Sequence, residues 1–502
     1  MQTTRKCYRG LLLVVLPLVV LALACNLRAA PPPTMTVAPL VSSPTALPPR
    51  STPTLVVATP TATALPEETA TPAPTGDDPR GIGDPYMPEL GNRGYDVRRY
   101  TLRFTLDPAT PYVMGETVIE AESTVDPLRQ LSLDFIGFEM TSLLVDGMPA
   151  SYTRTDRKII IDLPFGRLAG APFTITVAYR GEPRPFHSPY IPAADSLGFV
   201  FPGDGSLFAF SEPDGARAWF PANDHPRDKA TFRLELTVPT GLTAVANGEL
   251  VETVDLDAQT RFVWEHNYPM ATYLATVAVG NYVLRESVAD NGVPLRSYLF
   301  PDAVAAFDAY AGINEAALAW MSALFGPYPF ETYGYVTVNL PGVSMETQSL
   351  VLLSTQMIGR RTMVHEMAHM WFGDWVSLDS WGEMWRNEGF ATYVQIMWEN
   401  RDDPEGLELE MAGVAARVEE NGNGYALSNP PPASLFGYET YFKGAMLAHA
   451  LRQTVGDEAF FGGLRAYFAR YGGGVASQAQ FQAVMEEYAG ISLTPFFAQW
   501  LP

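Results

Sequence analysis

The chain has 502 residues, with 33 Lys and Arg against 55 Asp and Glu and a net charge of −22. That balance excludes nucleic acid as a partner, because such binding needs a basic face. With 47% apolar residues the chain can bury a sizeable core, and its length points to two or three domains.

Residues 1–24 read as an export signal rather than as fold. Arg5, Lys6 and Arg9 precede an apolar run over 11–24, which at about fourteen residues is short for a membrane span. The run ends Leu21-Ala22-Leu23-Ala24-Cys25 and resembles the lipobox of bacterial lipoproteins. The resemblance implies cleavage before Cys25, acylation of its thiol, and an extracytoplasmic surface protein anchored to a membrane. The other cysteine, Cys7, falls in the leader, so neither disulfides nor thiolate metal ligands are expected. Residues 25–79 form a tether. Within it, 31–75 holds 12 Pro and 11 Thr, a composition that cannot bury enough surface to fold. Extended as polyproline II, the tether reaches about 170 Å.

Residues 80–284 read as a β domain. Tyr100, Leu102, Phe104 and Leu106 alternate with polar residues, as do Phe232, Leu234, Leu236 and Val238. Turn pairs such as Asp146-Gly147 and Asn247-Gly248 break the pattern often, as in a sandwich-like domain of short strands. Over 285–502 helical spacing takes over. One helix is expected over 302–325, stopped by Gly326-Pro327, with others over 443–455, 457–471 and 477–489. Ser477 and Gln480 give the last a capping box.

The segment richest in chemistry is His365-Glu366-Met367-Ala368-His369, an HExxH sequence, with eighteen residues between it and Glu388. At 3.6 residues per turn the two histidines lie about 40° apart around a helix, so both can face one ion. With Glu388 they make a three-ligand zinc site that leaves a position open for water. Zinc lowers the pKa of that water to about 7. Glu366, one residue along, can take the proton as general base and pass it to a departing amine. His187, His225, His266 and His449 lack ligand spacing and read as structural. Trp371, Trp375, Trp381 and Trp385 read as core between helices.

Val364-His-Glu-Met-Ala-His-Met-Trp-Phe-Gly373, followed by Trp385-Arg386-Asn387-Glu388-Gly389-Phe390-Ala391, resembles the M1 family of zinc aminopeptidases, which includes aminopeptidase N and leukotriene A4 hydrolase. Arg386 stands where the family usually carries Leu. Val343-Ser344-Met345-Glu346-Thr347 resembles the family's Gly-Ala-Met-Glu-Asn, which implies that Glu346 binds the substrate's free α-amine. Glu212-Pro213-Asp214-Gly215-Ala216-Arg217 and Phe220-Pro221-Ala222-Asn223-Asp224 resemble a loop by which the family's β domain reaches the site. Glu212 is then a second acid on the amine, with Phe210 where a Gln is usual. Tyr441-Phe442-Lys443-Gly444-Ala445 resembles Tyr-Glu-Lys-Gly and implies that the Tyr441 hydroxyl supports the oxyanion. Tyr438 is a rival for that role.

The resemblance spans residues 88–502. It implies a multidomain α+β fold, in which an N-terminal β-sandwich-like domain precedes a thermolysin-like, mainly helical catalytic domain. It also implies one zinc ion per chain and peptides with a free N-terminus as substrates. Many members continue into a helical domain that closes the cleft, so a more open cleft is expected here. Two other readings stay open: a zinc endopeptidase with an open cleft, and a non-catalytic peptide-binding surface protein.

Overall fold

The computed structural model describes residues 79–501. The leader over 1–24, Cys25 and the tether, save for its last residue, lie outside the described residues.

The alternation in the N-terminal half becomes an eight-stranded sheet. In spatial order its strands are Glu249–Asp255, Gln259–Ala271, Lys229–Pro239, Tyr95–Asp107, Thr110–Ser123, Pro172–Gly181, Glu139–Val145 and Met148–Pro149. All neighbours are antiparallel except Tyr95–Asp107 with Lys229–Pro239. In that parallel pair Tyr100 faces Phe232 and Leu102 faces Leu234. One side chain in two points inward on a strand, and these four are fully buried. A three-stranded sheet and a four-stranded sheet contribute side chains to the same buried core. The four-stranded sheet contains Leu207–Phe210, Thr243–Ala246 and Val277–Gly280, and it leads the chain towards the site described below.

The second half opens with a sheet that the sequence pattern did not reveal. Its strands run in the order Val283–Val288, Pro294–Leu299, Tyr333–Val338 and Val351–Ser354. The boundary read at 284/285 falls inside the first of them. Every residue of Tyr333–Val338 and Val351–Ser354 is buried. A strand covered on both faces shows no alternation, and a short apolar run is then ambiguous.

Among the described residues the helices are α1 (Val304–Asp308), α2 (Gly312–Phe325), α3 (Arg360–His369), α4 (Trp385–Glu399), α5 (Pro404–Asn421), α6 (Gly444–Val455), α7 (Asp457–Tyr471), α8 (Gln478–Ala489) and α9 (Thr494–Trp500). The single helix expected over 302–325 is therefore two. Three-residue hydrogen bonds from Tyr310 N to Phe307 O and from Ile313 N to Tyr310 O interrupt the four-residue ladder. Ser477 does cap α8, in a reciprocal pair with Gln480. Trp371, Trp381 and Trp385 are fully buried. Trp375 is partly buried and packs on Tyr268 and Phe330.

Asp84 joins the two halves. Its carboxylate accepts from Tyr86 N, Ser380 Oγ and Trp381 N at 2.9, 2.6 and 3.0 Å, and His225 Nε2 lies 3.0 Å away. His225 Nδ1 accepts from Arg227 N, so Nε2 carries the proton that faces Asp84. Burial alone would raise the Asp84 carboxyl, but these bonds bring it from the ordinary 3.8 down to about 2. A carboxyl held below its unfolded value stabilises the fold above that value and ceases to do so as pH falls through the folded one. We expect Asp84→Ala to cost about 2–3 kcal/mol near neutrality. Urea unfolding of both proteins at pH 7 and at pH 3 checks this. The gap should shrink at the lower pH, and a gap that widens there contradicts the assignment.

Candidate active site

Helix α3 ends at His369, so His365 and His369 sit one turn apart on its last two turns. Glu388 lies in the first turn of α4, which packs across α3. His365 Nε2 is 3.2 Å from His369 Nε2 and 3.2 Å from Glu388 Oε2, and His369 Nε2 is 3.5 Å from that same oxygen. A tetrahedral zinc ion with ligand bonds near 2.05 Å separates its donors by about 3.3 Å. The three donor atoms thus already form one face of a zinc tetrahedron. His369 Nδ1 donates to Phe372 O at 3.1 Å, which leaves the Nε2 lone pair free for a metal.

The electrostatics make the same demand. Burial works against a charge on His369, yet the carboxylates of Glu346, Glu388 and Glu366 push its pKa well above the usual imidazole range. Burial would raise Glu388, but His369 and His365 hold its carboxyl at about 2. The pocket stabilises positive charge where the three donors converge, and a divalent cation meets that demand better than a proton. The residues therefore fit zinc.

Glu366 points to the same place without joining the triad. Its carboxylate lies within 4.8 Å of donor atoms of Glu346 and His369. Burial, reinforced by the charges of Glu346 and Glu388, raises its pKa well above the carboxylate range.

Glu212 and Glu346 arrive from opposite halves of the molecule. Glu346 follows strand Tyr333–Val338 in a tight loop, where Met345 and Leu352 exchange backbone hydrogen bonds. Glu212 sits between strand Leu207–Phe210 and the 3-10 turn Ala216–Ala218. Carboxylate oxygens of Glu212, Glu346 and Glu388 lie within 4.8 Å of one another. Both glutamates are buried, and Oε1 of each lacks a hydrogen-bond partner among the described residues. Burial is the first cause raising both carboxyls. Arg217 and Asp224, from the same loop, stay out of the site. Arg217 bonds Asp214, while Asp224 accepts from Arg217 N and Thr272 Oγ1. They hold the loop that presents Glu212.

Tyr441 lies in a π-helical turn, Glu439–Lys443, directly before α6. Such widened turns recur at functional sites because they re-aim a side chain. The Tyr441 ring lies nearly parallel to the His365 imidazole, with centroids 6.0 Å apart and planes at 21°. Tyr438 packs on Phe442 at 4.5 Å instead, so of the two tyrosines it is Tyr441 that borders the triad. Gly389 and Gly444 let α4 and α6 approach. A Cβ on Gly389 would stand 2.7 Å from the Gly444 backbone.

All seven residues singled out from sequence converge here: His365, His369, Glu388, Glu366, Glu346, Glu212 and Tyr441. Others entered unannounced. The Phe372 carbonyl has no side-chain signature. Tyr273 is buried, and its phenol is pushed up first by burial and then by Glu346 and Glu212. Asp374 is wholly buried, and neither carboxylate oxygen has a partner among the described residues. His225, His266 and His449 bond elsewhere, to Asp84, Glu331 and Tyr393.

A β domain docked on a helical domain that carries an HExxH helix and a later glutamate helix defines the architecture of a zinc metallopeptidase. Residues 97–274 match the Peptidase M1 N-terminal domain and residues 313–500 the Peptidase family M1 domain. The chain belongs to peptidase family M1. Aminopeptidase N of Streptomyces lividans is 28% identical over 339 residues, 60% of this chain and 39% of that protein. Glutamyl aminopeptidase of Bitis rhinoceros is 25% identical over 317 residues, 58% of this chain and 33% of that protein. The chain thus spans well under half the length of these curated relatives. The M1 zinc metallopeptidase of Deinococcus radiodurans is 28% identical, with a TM-score of 0.77 over 84% of this chain and 97% of that one. Family and structural relatives imply one catalytic zinc ion.

The glycine contact yields a test of the helix pairing. We expect Gly389→Ala to push α4 from α6, displace Glu388, and weaken zinc binding about tenfold or more, the range seen when ligand supports are lost. Competition with a fluorescent zinc chelator reads this directly, and unchanged affinity rules the contact out as a determinant.

Proposed function

We propose that the protein is a zinc aminopeptidase that removes the N-terminal residue from peptides. The observation that carries the reading is the pair of buried carboxylates, Glu212 and Glu346, beside the Glu388 ligand, each with an Oε1 that lacks a hydrogen-bond partner among the described residues. Burial and mutual repulsion disfavour ionising both groups at once, and a cation held between them would let both carry charge. A peptide's α-ammonium supplies it, and only a chain with a free N-terminus carries that group next to its first peptide bond. A Deinococcus radiodurans relative has been crystallised with a Tyr-Ser-Ala substrate, and other M1 structures with L-tryptophan and L-arginine. Those ligands share the free α-amine.

His365, His369 and Glu388 would hold the zinc ion, which would supply Lewis acidity to a carbonyl and to water. Glu366 takes a proton from the attacking water and returns it to the departing amine. The Tyr441 hydroxyl donates to the carbonyl oxygen as negative charge builds there. Glu346 and Glu212 fix the ammonium, so the first peptide bond alone is presented. The lipobox-like Leu21-Ala22-Leu23-Ala24-Cys25 supports a surface-anchored location for this activity.

Two measurements bear on the proposal. Glu366→Gln should bind zinc normally yet lose activity by about a hundredfold or more, as expected when a general base is removed. Wild-type protein should cleave aminoacyl reporters and free-amine peptides but not their N-acetylated forms. Cleavage of both forms points to an endopeptidase, and cleavage of neither by zinc-loaded protein points to a binding role. Separately, Cys25→Ser should shift the protein from the membrane fraction to the soluble one, and a variant that stays with membranes argues against the lipid anchor.

A further inference from the structure

The loop that follows Glu346 is held by the other domain. Asn247 stands at the end of strand Thr243–Ala246, fully buried. Its Nδ2 donates to Gln348 O at 2.7 Å and to Leu274 O at 3.0 Å, while its Oδ1 accepts from Thr276 N at 2.7 Å. One side chain thus ties the Glu346 loop to the backbone flanking the turn that carries Tyr273 and Leu274. The next residue adds a second tie, since Gly248 N donates to Ser349 Oγ at 3.0 Å. A Cβ at Gly248, where φ is +83°, would stand 2.0 Å from Glu265 O, so this approach is open only to glycine.

His266 makes a third contact. Its Nε2 lies 2.7 Å from Gln348 Nε2, and its Nδ1 lies 2.6 Å from Glu331 Oε1. A carboxylate only accepts, so Nδ1–H donates to Glu331 and Nε2 accepts from the Gln348 amide. Glu331 precedes strand Tyr333–Val338, at whose far end the Glu346 loop begins. The ties meet a strained stretch, because Ser349 has φ +66°, a conformation that non-glycine residues keep only when their surroundings impose it. Thr347, Gln348 and Ser349 have no exposed surface. The loop therefore takes its shape from Asn247, Gly248 and His266, and Glu346 is its first residue.

We propose that Asn247 and His266 of the β domain are positioning residues for Glu346, setting where the substrate's ammonium is held without touching substrate or metal. The inference rests on the aminopeptidase reading above. It separates two supports within one site, because the triad on α3 and α4 receives no hydrogen bond from either residue.

Steady-state kinetics on the best of a panel of aminoacyl p-nitroanilides tests this, with zinc content measured for every variant. Asn247→Ala and His266→Gln should each raise KM about tenfold, the order expected for a displaced positioning group, with kcat little changed at full zinc occupancy. A merely structural role would instead lower the active fraction and leave KM alone. The double variant Asn247→Ala, Glu346→Gln should be no worse in KM than Glu346→Gln alone, since groups acting through one another are not additive. Unchanged KM in both single variants, or full additivity in the double, overturns the inference. If Glu346→Gln itself leaves KM unchanged, the amine-site reading fails and takes this inference with it, a result distinct from the previous two. Should Asn247→Ala not fold, His266→Gln and its own double variant carry the same comparison.

Discussion

The site depends on one electrostatic constraint: several carboxylates share a buried volume and need positive charge among them. Carboxylate oxygens of Glu212, Glu346 and Glu388 lie within 4.8 Å of one another, Glu366 lies as close to Glu346, and Asp374 adds a fifth buried carboxyl that feels the Glu346 and Glu366 charges. Like charges at this spacing repel in a medium of low polarisability. Two compensators fit the geometry. One is a divalent ion at the imidazole pair, and the other is an ammonium at the Glu346–Glu212 pair. The proposed mechanism uses both, so the repulsion among these carboxylates would itself favour binding of metal and substrate.

Packing turns this constraint into precise placement. Helices α3 and α4 hold the ligand atoms at zinc spacing. The α4–α6 approach, possible because residues 389 and 444 are both glycines, sets the Tyr441 turn against His365. The Asp84 knot and the Lys229 ammonium, which donates to Asp374 O at 2.7 Å, fasten the β domain to the segment that follows the metal helix. Burial lowers the Lys229 pKa to about 7.

Much of this was legible in the sequence because the chemistry fixes residue types at fixed spacings. His365, His369 and Glu388 announce themselves through helical periodicity, and the strands around Tyr100 and Phe232 through alternation. The resemblance to M1 peptidases reached Glu346, Glu212 and Tyr441, which no local pattern marks. What stayed hidden has three physical causes. Strand Tyr333–Val338 is covered on both faces and so has no alternation. The Phe372 carbonyl acts through backbone, which every residue possesses. Asn247 and Gln348 meet across 101 residues of chain, and nothing in either neighbourhood foretells the other. The break between α1 and α2 likewise depends on local hydrogen bonding that an alanine-rich sequence does not display.

The clamp on the Glu346 loop has a consequence for how such an enzyme could change over time. The metal-site residues sit on two helices of one domain, whereas in the proposed reading the grip on a substrate's terminus spans a seam between two. If that reading holds, substitutions along the seam would relax the requirement for a free terminus while the metal site is kept. Exopeptidase discipline would then be a property of domain fit, lost or retuned by residues that never meet the peptide.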